Sequence, residues 1–435
     1  MVNSYDLRAN MRVLVIGSGG REHALCWRLR QSRSLTELFC APGNPGIGSV
    51  AKLVPLRGDD IPGLVEFARN NSIDLTIVGP ELPLSLGVTD AFRNHGMRIF
   101  GPSHAAAKLE NSKAFAKEIL LAANVPTAGA ELFHDAQSAC LALTKVRYPI
   151  VIKADGLAAG KGVYVCEDRA AASDAIDAVF TECKSSAVLL EEFLDGVEAS
   201  LIIATDGSRI IPLPLSHDYK RIFDGDRGPN TGGMGSVSPS NRVPESQVPA
   251  LINRIIVPVL AEMRKRRIPF CGFLYAGLMI SRDGTPMVLE FNTRLGDPET
   301  QSIMRRIDGD LVTVLNDLAQ PDHLAKITQD HSALALSSDV AVCAVLASAG
   351  YPEKPRYGDA IEGIEFANSL PETLVFHAGT SMNSAGQLVT AGGRVLSVTT
   401  IAETLNEARS RLYRSVDMIQ FAGVQVRRDL ALEEN

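Results

Sequence analysis

The sequence has no run of 18 or more apolar residues among its 435 positions, which excludes a membrane-spanning helix. The N-terminus MVNSYDLRANMRVLVIG has no long apolar stretch with a small-residue cleavage site behind it, so it does not read as a signal peptide. Residues 1–10 read as an extension ahead of the first strand. The seven cysteines, Cys26, Cys40, Cys140, Cys166, Cys183, Cys271 and Cys343, include no CxxC pair. That argues against a disulfide framework or a zinc ribbon and for a reducing compartment, the cytoplasm. The eight histidines form no HExxH or HxxxH pair, so no zinc site is indicated. There is no G-x-S-x-G elbow, no internal repeat and no low-complexity tract. Excess positive charge is missing as well. Lys and Arg total 43 against 50 Asp and Glu, a net charge of -7, which argues against a nucleic-acid or membrane partner. The basic run Arg264-Lys265-Arg266-Arg267 ends an expected helix, where cations complement the dipole.

What remains is a globular composition, 46% hydrophobic and 21% charged. At about 150 residues per domain the length suggests about three domains. The pattern predicts an α/β protein. RVLVI (12–16), DLTIV (74–78) and MRIF (97–100) read as strands, and a helix is expected over 60–71. Residues 11–109 therefore form an expected doubly wound domain with a parallel sheet. A second domain is expected over 110–330. It opens with a helix near 110–123 and carries a small lid subdomain at about 124–196. The lid has strands PIVIK and GVYVC and a helix near 168–183 with Ala172, Ile176, Val179 and Phe180 on one face. Beyond the lid, strands alternate with one long helix, 246–267. The polar stretch 320–338 marks a boundary, and 331–435 is expected as a mixed α/β domain.

Four segments carry chemistry. Gly17-Ser18-Gly19-Gly20-Arg21 joins a strand to a helix N-terminus, where free amides, the dipole and a cation favour an anion. A dinucleotide fingerprint would place Gly at Glu22 and an acid near the end of the second strand; both are missing, so a monophosphate fits better. The stretch Lys153-Ala154-Asp155-Gly156-Leu157-Ala158-Ala159-Gly160-Lys161-Gly162 runs between two strands, so it reads as a Gly-rich hairpin over nucleotide phosphates. Lys153 and Lys113 can reach those phosphates. On the strand ending Glu290-Phe291-Asn292, Glu290 and Asn292 share a face while Leu289 and Phe291 point into a core. Two hard oxygen donors suit Mg2+. The fourth segment pairs Ser216–Arg221 with the loop Gly228-Pro229-Asn230-Thr231-Gly232-Gly233-Met234-Gly235, whose four glycines suggest close approach to a substrate.

As an ordered set, VLVIGSGGREHAL, APGNPG, TIVGPE, KADGLAAGKGV, EEFLDGVEAS, GPNTGGMG, GFLYAGLM, EFNTRLGDPETQ, VFHAGT and GGRVL resemble the phosphoribosylamine–glycine ligase family of the ATP-grasp superfamily, from about residue 11 to about 430. The resemblance implies conversion of ATP, glycine and 5-phosphoribosylamine into glycinamide ribonucleotide, ADP and phosphate through a glycyl phosphate, in purine biosynthesis. It implies that Gly156, Gly160, Lys161 and Gly162 cover the ATP phosphates, with Lys113 and Lys153 supplying charge. Glu191, Glu192, Phe193 and Leu194 would hold adenine, and Glu198 the ribose. Glu290 and Asn292 would bind Mg2+ or Mn2+, and Arg294 would stabilise the transferring phosphoryl group. Gly19, Gly20, Arg21 and Glu81 would face phosphoribosylamine. Asp218 and Lys220, with Asn230, Gly232, Gly233 and Asp297, would hold glycine and the amine. A monomer with only small-molecule partners is expected.

The sequence departs from the family pattern at Leu295, where Phe is common, and at Asp429-Leu430-Ala431, which replaces Asp-Ile-Gly. The strand FLYAGLMI carries no acidic residue, so the metal count stays open. Alternatives are another ATP-grasp carboxylate–amine ligase or a biotin-dependent carboxylase, then a non-catalytic nucleotide-binding protein, then a dinucleotide oxidoreductase. The GSGGREHA and GPNTGGMG loops argue against the first. The set Lys153, Glu290, Asn292 and Arg294 argues against the second, and Glu22 against the third.

Overall fold

The computed structural model describes residues 10–157, 162–320, 325–331 and 333–432. The expected N-terminal extension, apart from residue 10, and Gly160 and Lys161 of the hairpin lie outside the described residues.

The first strand, Met11–Gly17, is nearly all buried aliphatic side chains, as a strand covered on both faces must be. It lies at the centre of a parallel five-stranded sheet in the order Lys52–Leu53, Leu35–Pro42, Met11–Gly17, Leu75–Val78, Ile99–Phe100. The winding reverses between Met11–Gly17 and Leu75–Val78. A crevice opens outside the carboxyl ends of strands at such a reversal. Gly17–Arg21 and Gly79–Glu81 meet there.

Residues 130–192 fold into a four-stranded antiparallel sheet ordered Ala130–Phe133, Val188–Glu192, Ile150–Ala154, Val163–Cys166. Helix Arg169–Thr181 buries Ala172, Ile176 and Val179 against it. The chain then crosses to the central sheet, ordered Pro286–Asn292, Gly272–Ile280, Val197–Thr205, Arg209–Pro212, Thr328–Gln329. Helices Lys113–Ala122 and Val257–Lys265 pack on one face of this sheet; the N-terminal sheet's core continues onto the other. Thr328–Gln329 pairs with Arg209–Ile210, so the polar stretch expected as a boundary adds a strand to the central sheet.

Two expectations need correction. The long helix does form, over Val248–Lys265, but its middle, Ile252–Ile256, widens to π geometry. Pro258 has no N–H for the carbonyl one turn back, which disturbs the α ladder there. Nor is it the single helix between 197 and 320, because Glu299–Arg306 and Leu311–Leu318 are helical too. Glu299–Arg306 buries Thr300, Gln301 and Ser302 as fully as Ile303, so it shows no apolar stripe to read.

The third sheet is antiparallel and ordered His217–Asp218, Gly235–Ser238, Val340–Ala347, Arg394–Ala402, Thr373–His377. It is not built from the C-terminal segment alone, since two of its strands come from the middle of the chain. Helix Leu405–Val416 covers one face. The APGNPG and VFHAGT motifs meet where the first and third sheets join. Asn44 donates to the carbonyls of Ser18 and His377, and the His377 N–H donates to His23 Nδ1. Burial, then the neighbouring His377, push the His23 imidazole down to about 3, so it stays neutral there.

The tail departure has a structural cost. Ala431 sits at φ +56°, in the left-handed region that glycine occupies freely. Ala431→Gly is expected to stabilise the fold by about 0.5–1 kcal/mol, the relief of strain less the extra freedom of unfolded glycine. A denaturant midpoint that falls instead would show the position is unstrained.

Candidate active site

A cleft of about 580 Å³ opens where the lid, the central sheet and the N-terminal crevice face one another. Of the expected site residues, Arg21, Glu81, Lys113, Lys153, Gly156, Gly162, Glu191, Asp218, Lys220, Gly232, Glu290, Asn292, Arg294 and Asp297 line it. Gly19, Gly20, Glu192, Phe193, Leu194, Glu198, Asn230 and Gly233 are not among its lining residues.

The lid contributes one cation, Lys153, and the helix Lys113–Ala122 two more, Lys113 and Lys117. Lys153, on strand Ile150–Ala154, donates to Glu191 Oε1 at 2.8 Å and to the Leu289 carbonyl at 3.3 Å. Glu191 is only 2% exposed and also meets Lys117 at 3.2 Å. Lys113 starts the helix capped by Ser112 and donates to the Gly156 carbonyl at 3.2 Å. Burial pulls the Lys113 and Lys117 ammonium groups below their usual range, with nearby carboxylates opposing it. Asp155 accepts from Ala114 N–H at 3.2 Å and from the Ser112 hydroxyl at 3.3 Å, which ties the hairpin to that helix start. Glu192 and Phe193 are exposed where the chain passes from the lid sheet to the central sheet.

Glu290 and Asn292 end the strand Pro286–Asn292 and face the cleft. Phe291 is buried as expected, but Leu289 is not a core residue. The register shifts between Gly277–Glu290 and Leu278–Val288, so Leu289 occupies a bulge and lines the cleft. Among the described residues no hydrogen bond or ion pair engages the Glu290 carboxylate. Burial alone would raise its pKa, but Lys220, Lys153, Lys113 and Arg294 outweigh burial and keep it below the usual range. The Asn292 oxygen accepts from Arg294 at 3.3 Å and retains a second lone pair. No group of three His, Cys, Asp or Glu side chains among the described residues forms a metal cage. Two oxygen donors beside lysines suit a hard cation that takes its other ligands from phosphate and water.

Arg294 links the two ends of the cleft. Its guanidinium reaches Glu81 at 3.1 Å and Glu110 at 3.1 Å. Glu110 also accepts from the Thr293 N–H at 2.8 Å and hydroxyl at 3.0 Å. Burial raises the Glu110 carboxyl, whereas Glu81 is held low because Arg294 and Arg21 outweigh its burial.

The N-terminal loop corrects the expectation of free amides. Gly19 N–H donates to Glu22 Oε2 at 2.6 Å, and Arg21 Nε donates to Glu22 Oε1 at 2.6 Å. This carboxylate explains two glycines. A Cβ on Gly17 would lie 2.4 Å from Glu22 Cγ, and one on Gly79 would lie 2.2 Å from Glu22 Oε1. Arg21 also donates to the Leu295 carbonyl at 3.1 Å, so it is fixed beside Arg294.

At the other end, Lys220 pairs with Glu198 at 2.5 Å. Burial raises the Asp218 carboxyl to about 7; Lys220 opposes this, and Glu299, Glu198 and Glu290 add to it. The GPNTGGMG segment is pinned in place. Thr231 N–H donates to the Lys220 carbonyl at 2.8 Å, and Arg394 donates to the Gly232 carbonyl at 2.6 Å and the Asp297 carbonyl at 2.7 Å. Gly233, at φ +110°, leaves no room for a side chain, since a Cβ would lie 2.4 Å from Pro298 Cδ. Asn230 pairs with Arg221 in a hairpin.

Sequence reading missed Lys117, Glu110, Tyr275, Glu299 and Arg394, which also line the cleft. Lys117 was findable, one turn after Lys113. Glu299 and Arg394 lie within GDPETQ and GGRVL, where their spacing alone assigns no role.

A lysine-lined cleft between a lid sheet and a central antiparallel sheet, beside a doubly wound domain, defines a ligase of the ATP-grasp class. The descriptions "Phosphoribosylglycinamide synthetase, N domain", "ATP-grasp (A) domain" and "C domain" match residues 11–110, 111–300 and 341–433. The chain belongs to the phosphoribosylglycinamide synthetase family. It is 44% identical to phosphoribosylamine–glycine ligase of Neisseria meningitidis over 425 residues, 97% of this chain and 99% of that one. The crystal structure of phosphoribosylamine–glycine ligase from Thermotoga maritima superposes with TM-score 0.80 at 32% identity, covering 96% of this chain and all of that one. A biotin carboxylase domain from Hydrogenobacter thermophilus, in complex with MgADP and bicarbonate, matches with TM-score 0.72 at 16% identity over 96% of this chain and 92% of that one, which shows the fold alone.

Proposed function

We propose that this chain ligates glycine to 5-phosphoribosylamine at the expense of ATP, giving glycinamide ribonucleotide, ADP and phosphate, a step of purine biosynthesis. The observation that carries this reading is Arg294. It joins Asn292, at the end of the strand that carries Glu290, to Glu81 at the N-terminal crevice and shares the Leu295 carbonyl with Arg21, within the one cleft that Lys113 and Lys153 also line.

Residues 110–330, with the lid at about 124–196, grip ATP; 11–109 receive phosphoribosylamine; 331–435 close the far end. Lys113, Lys153 and the Gly156–Gly162 hairpin draw charge from the phosphates. Backbone groups of Glu191–Leu194 hold adenine, and Glu198 the ribose. Mg2+ or Mn2+, held by Glu290 and Asn292, would neutralise charge on the phosphate oxygens. The glycine carboxylate attacks the γ-phosphorus while the bond to ADP breaks, giving glycyl phosphate. The amine then attacks the acyl carbon, phosphate departs, and the amine releases a proton. Asp218, raised to about 7 by burial, is matched to accept that proton near neutrality. Arg294 stays cationic to stabilise the transferring phosphoryl group, because Glu110 and Glu81 outweigh its burial. Gly19, Gly20, Arg21 and Glu81 face phosphoribosylamine, while Lys220, Asn230, Gly232, Gly233 and Asp297 shape the glycine end. The enzyme acts as a cytoplasmic monomer on small molecules.

The test is ADP release by the purified chain with Mg2+. It is expected only when glycine and phosphoribosylamine are both present. No ADP with the full set, or equal ADP without either acceptor, would overturn the reading.

A further inference from the structure

The chain's last described residues reach back to the segment between the two acceptor-end candidates. Asp218 and Lys220 are two apart in extended chain and both line the cleft. Tyr219, between them, points away and is 7% exposed. The guanidinium groups of Arg427 and Arg242 lie over its ring, 5.0 and 5.1 Å from the centroid. Its hydroxyl accepts the Ala431 N–H at 3.0 Å. Arg427 is itself 1% exposed and pairs with Asp226 at 2.6 Å and Asp429 at 2.6 Å. It also donates to the carbonyl of Arg221, next after Lys220, at 3.2 Å. Asp429 accepts from Gly225 N–H at 2.8 Å, and Asp224 accepts from Arg428 N–H at 2.7 Å. Four of the five residues Arg427–Ala431 therefore grip one hairpin and the tyrosine at its root.

We propose that Arg427–Ala431 is a positioning strap for the acceptor end of the cleft, with Arg427 and Tyr219 as positioning residues that set where Asp218 and Lys220 point. The inference rests on the proposed reading that those two side chains handle glycine and the amine. A buried, doubly paired arginine over an aromatic ring leaves Tyr219 little freedom. Its neighbours on either side inherit that fixity through the backbone. Neither positioning residue touches the nucleotide half, so their loss separates the substrates. A purely structural role would not.

The experiment compares full-length Tyr219→Phe and Arg427→Lys with Asp218→Asn and Lys220→Met. Tyr219→Phe keeps the ring and loses the hydroxyl, which accepts from Ala431 and lies 3.4 Å from His217 Nε2; it serves if Arg427→Lys fails to fold. Each strap variant is expected to raise the glycine KM about tenfold or more, since small misplacements are costly, while the directly measured Kd for an ATP analogue stays unchanged. Parental glycine KM in both strap variants, with ligation lost in Asp218→Asn and Lys220→Met, overturns the strap alone. So does an equal rise in glycine KM and nucleotide Kd, which marks general loosening. Parental ligation in Asp218→Asn and Lys220→Met instead overturns the reading of the acceptor end, and the strap with it.

Discussion

Glu290→Gln is expected to lower kcat by about 10²–10³-fold while the protein stays folded. The substitution keeps the shape and removes one negative charge. That charge sits opposite Lys220, Lys153, Lys113 and Arg294, which together hold the carboxylate ionised. In the proposed mechanism it is also one of the two oxygen donors for the cation on the phosphates. Gln offers a neutral oxygen in its place, a weaker donor for a hard cation. No hydrogen bond among the described residues depends on Glu290, so the stability cost is small. Single-turnover ADP formation, with circular dichroism on the same sample, checks both halves. Activity within about tenfold of the parent would show that Glu290 is not a ligand.

Arg294→Lys is the second large effect, expected at about 10²-fold in kcat, with little change in binding of an ATP analogue. Lysine keeps the charge but loses the planar fork. The guanidinium reaches Glu81, Glu110, Asn292 and the Leu295 carbonyl at once, and a single ammonium cannot span all four. Glu110, buried and already raised by burial, would lose its cation and be left with Thr293. That orphaning is expected to cost about 2–3 kcal/mol of stability, so a lowered denaturant midpoint accompanies the lost turnover. A parental kcat would show that the charge, rather than the bridge, is what the reaction uses.

The first sheet was legible because Met11–Gly17 and Leu75–Val78 are continuous apolar strands with glycine turns behind them. The lid was legible because helix Arg169–Thr181 carries its stripe at helical spacing. Glu290 and Asn292 were legible because alternation on a strand is a local property. What local reading missed has a physical reason in each case. Leu289 faces the cleft because a bulge shifts the register, and the bulge depends on the partner strand. Gly19's amide is taken because Glu22 folds back onto it, a contact invisible to a motif defined by glycines. Glu299–Arg306 escaped because its polar side chains are buried between the helix Gly20–Leu29 and three strands of the third sheet, which erases its amphipathic pattern. Glu110 and Arg394 become site residues only through contacts with residues far along the chain.

The third sheet, which borrows His217–Asp218 and Gly235–Ser238 from the middle of the chain, has a consequence for the order of assembly on the ribosome. Chains fold from the N-terminus as they emerge. The cleft lysines and the Glu290–Asn292 strand end exist before strand Val340–Ala347, against which Gly235–Ser238 pairs. Arg394 and the Arg427–Ala431 tail come later still. On the proposed reading, a nascent chain can therefore present its nucleotide-gripping half early, while the half that seats the acceptors waits for residues 340–431. Emergence of Arg427–Ala431 then becomes the condition for a reactive centre, and a chain cut short before that tail is expected to retain nucleotide contacts but lack an ordered place for glycine.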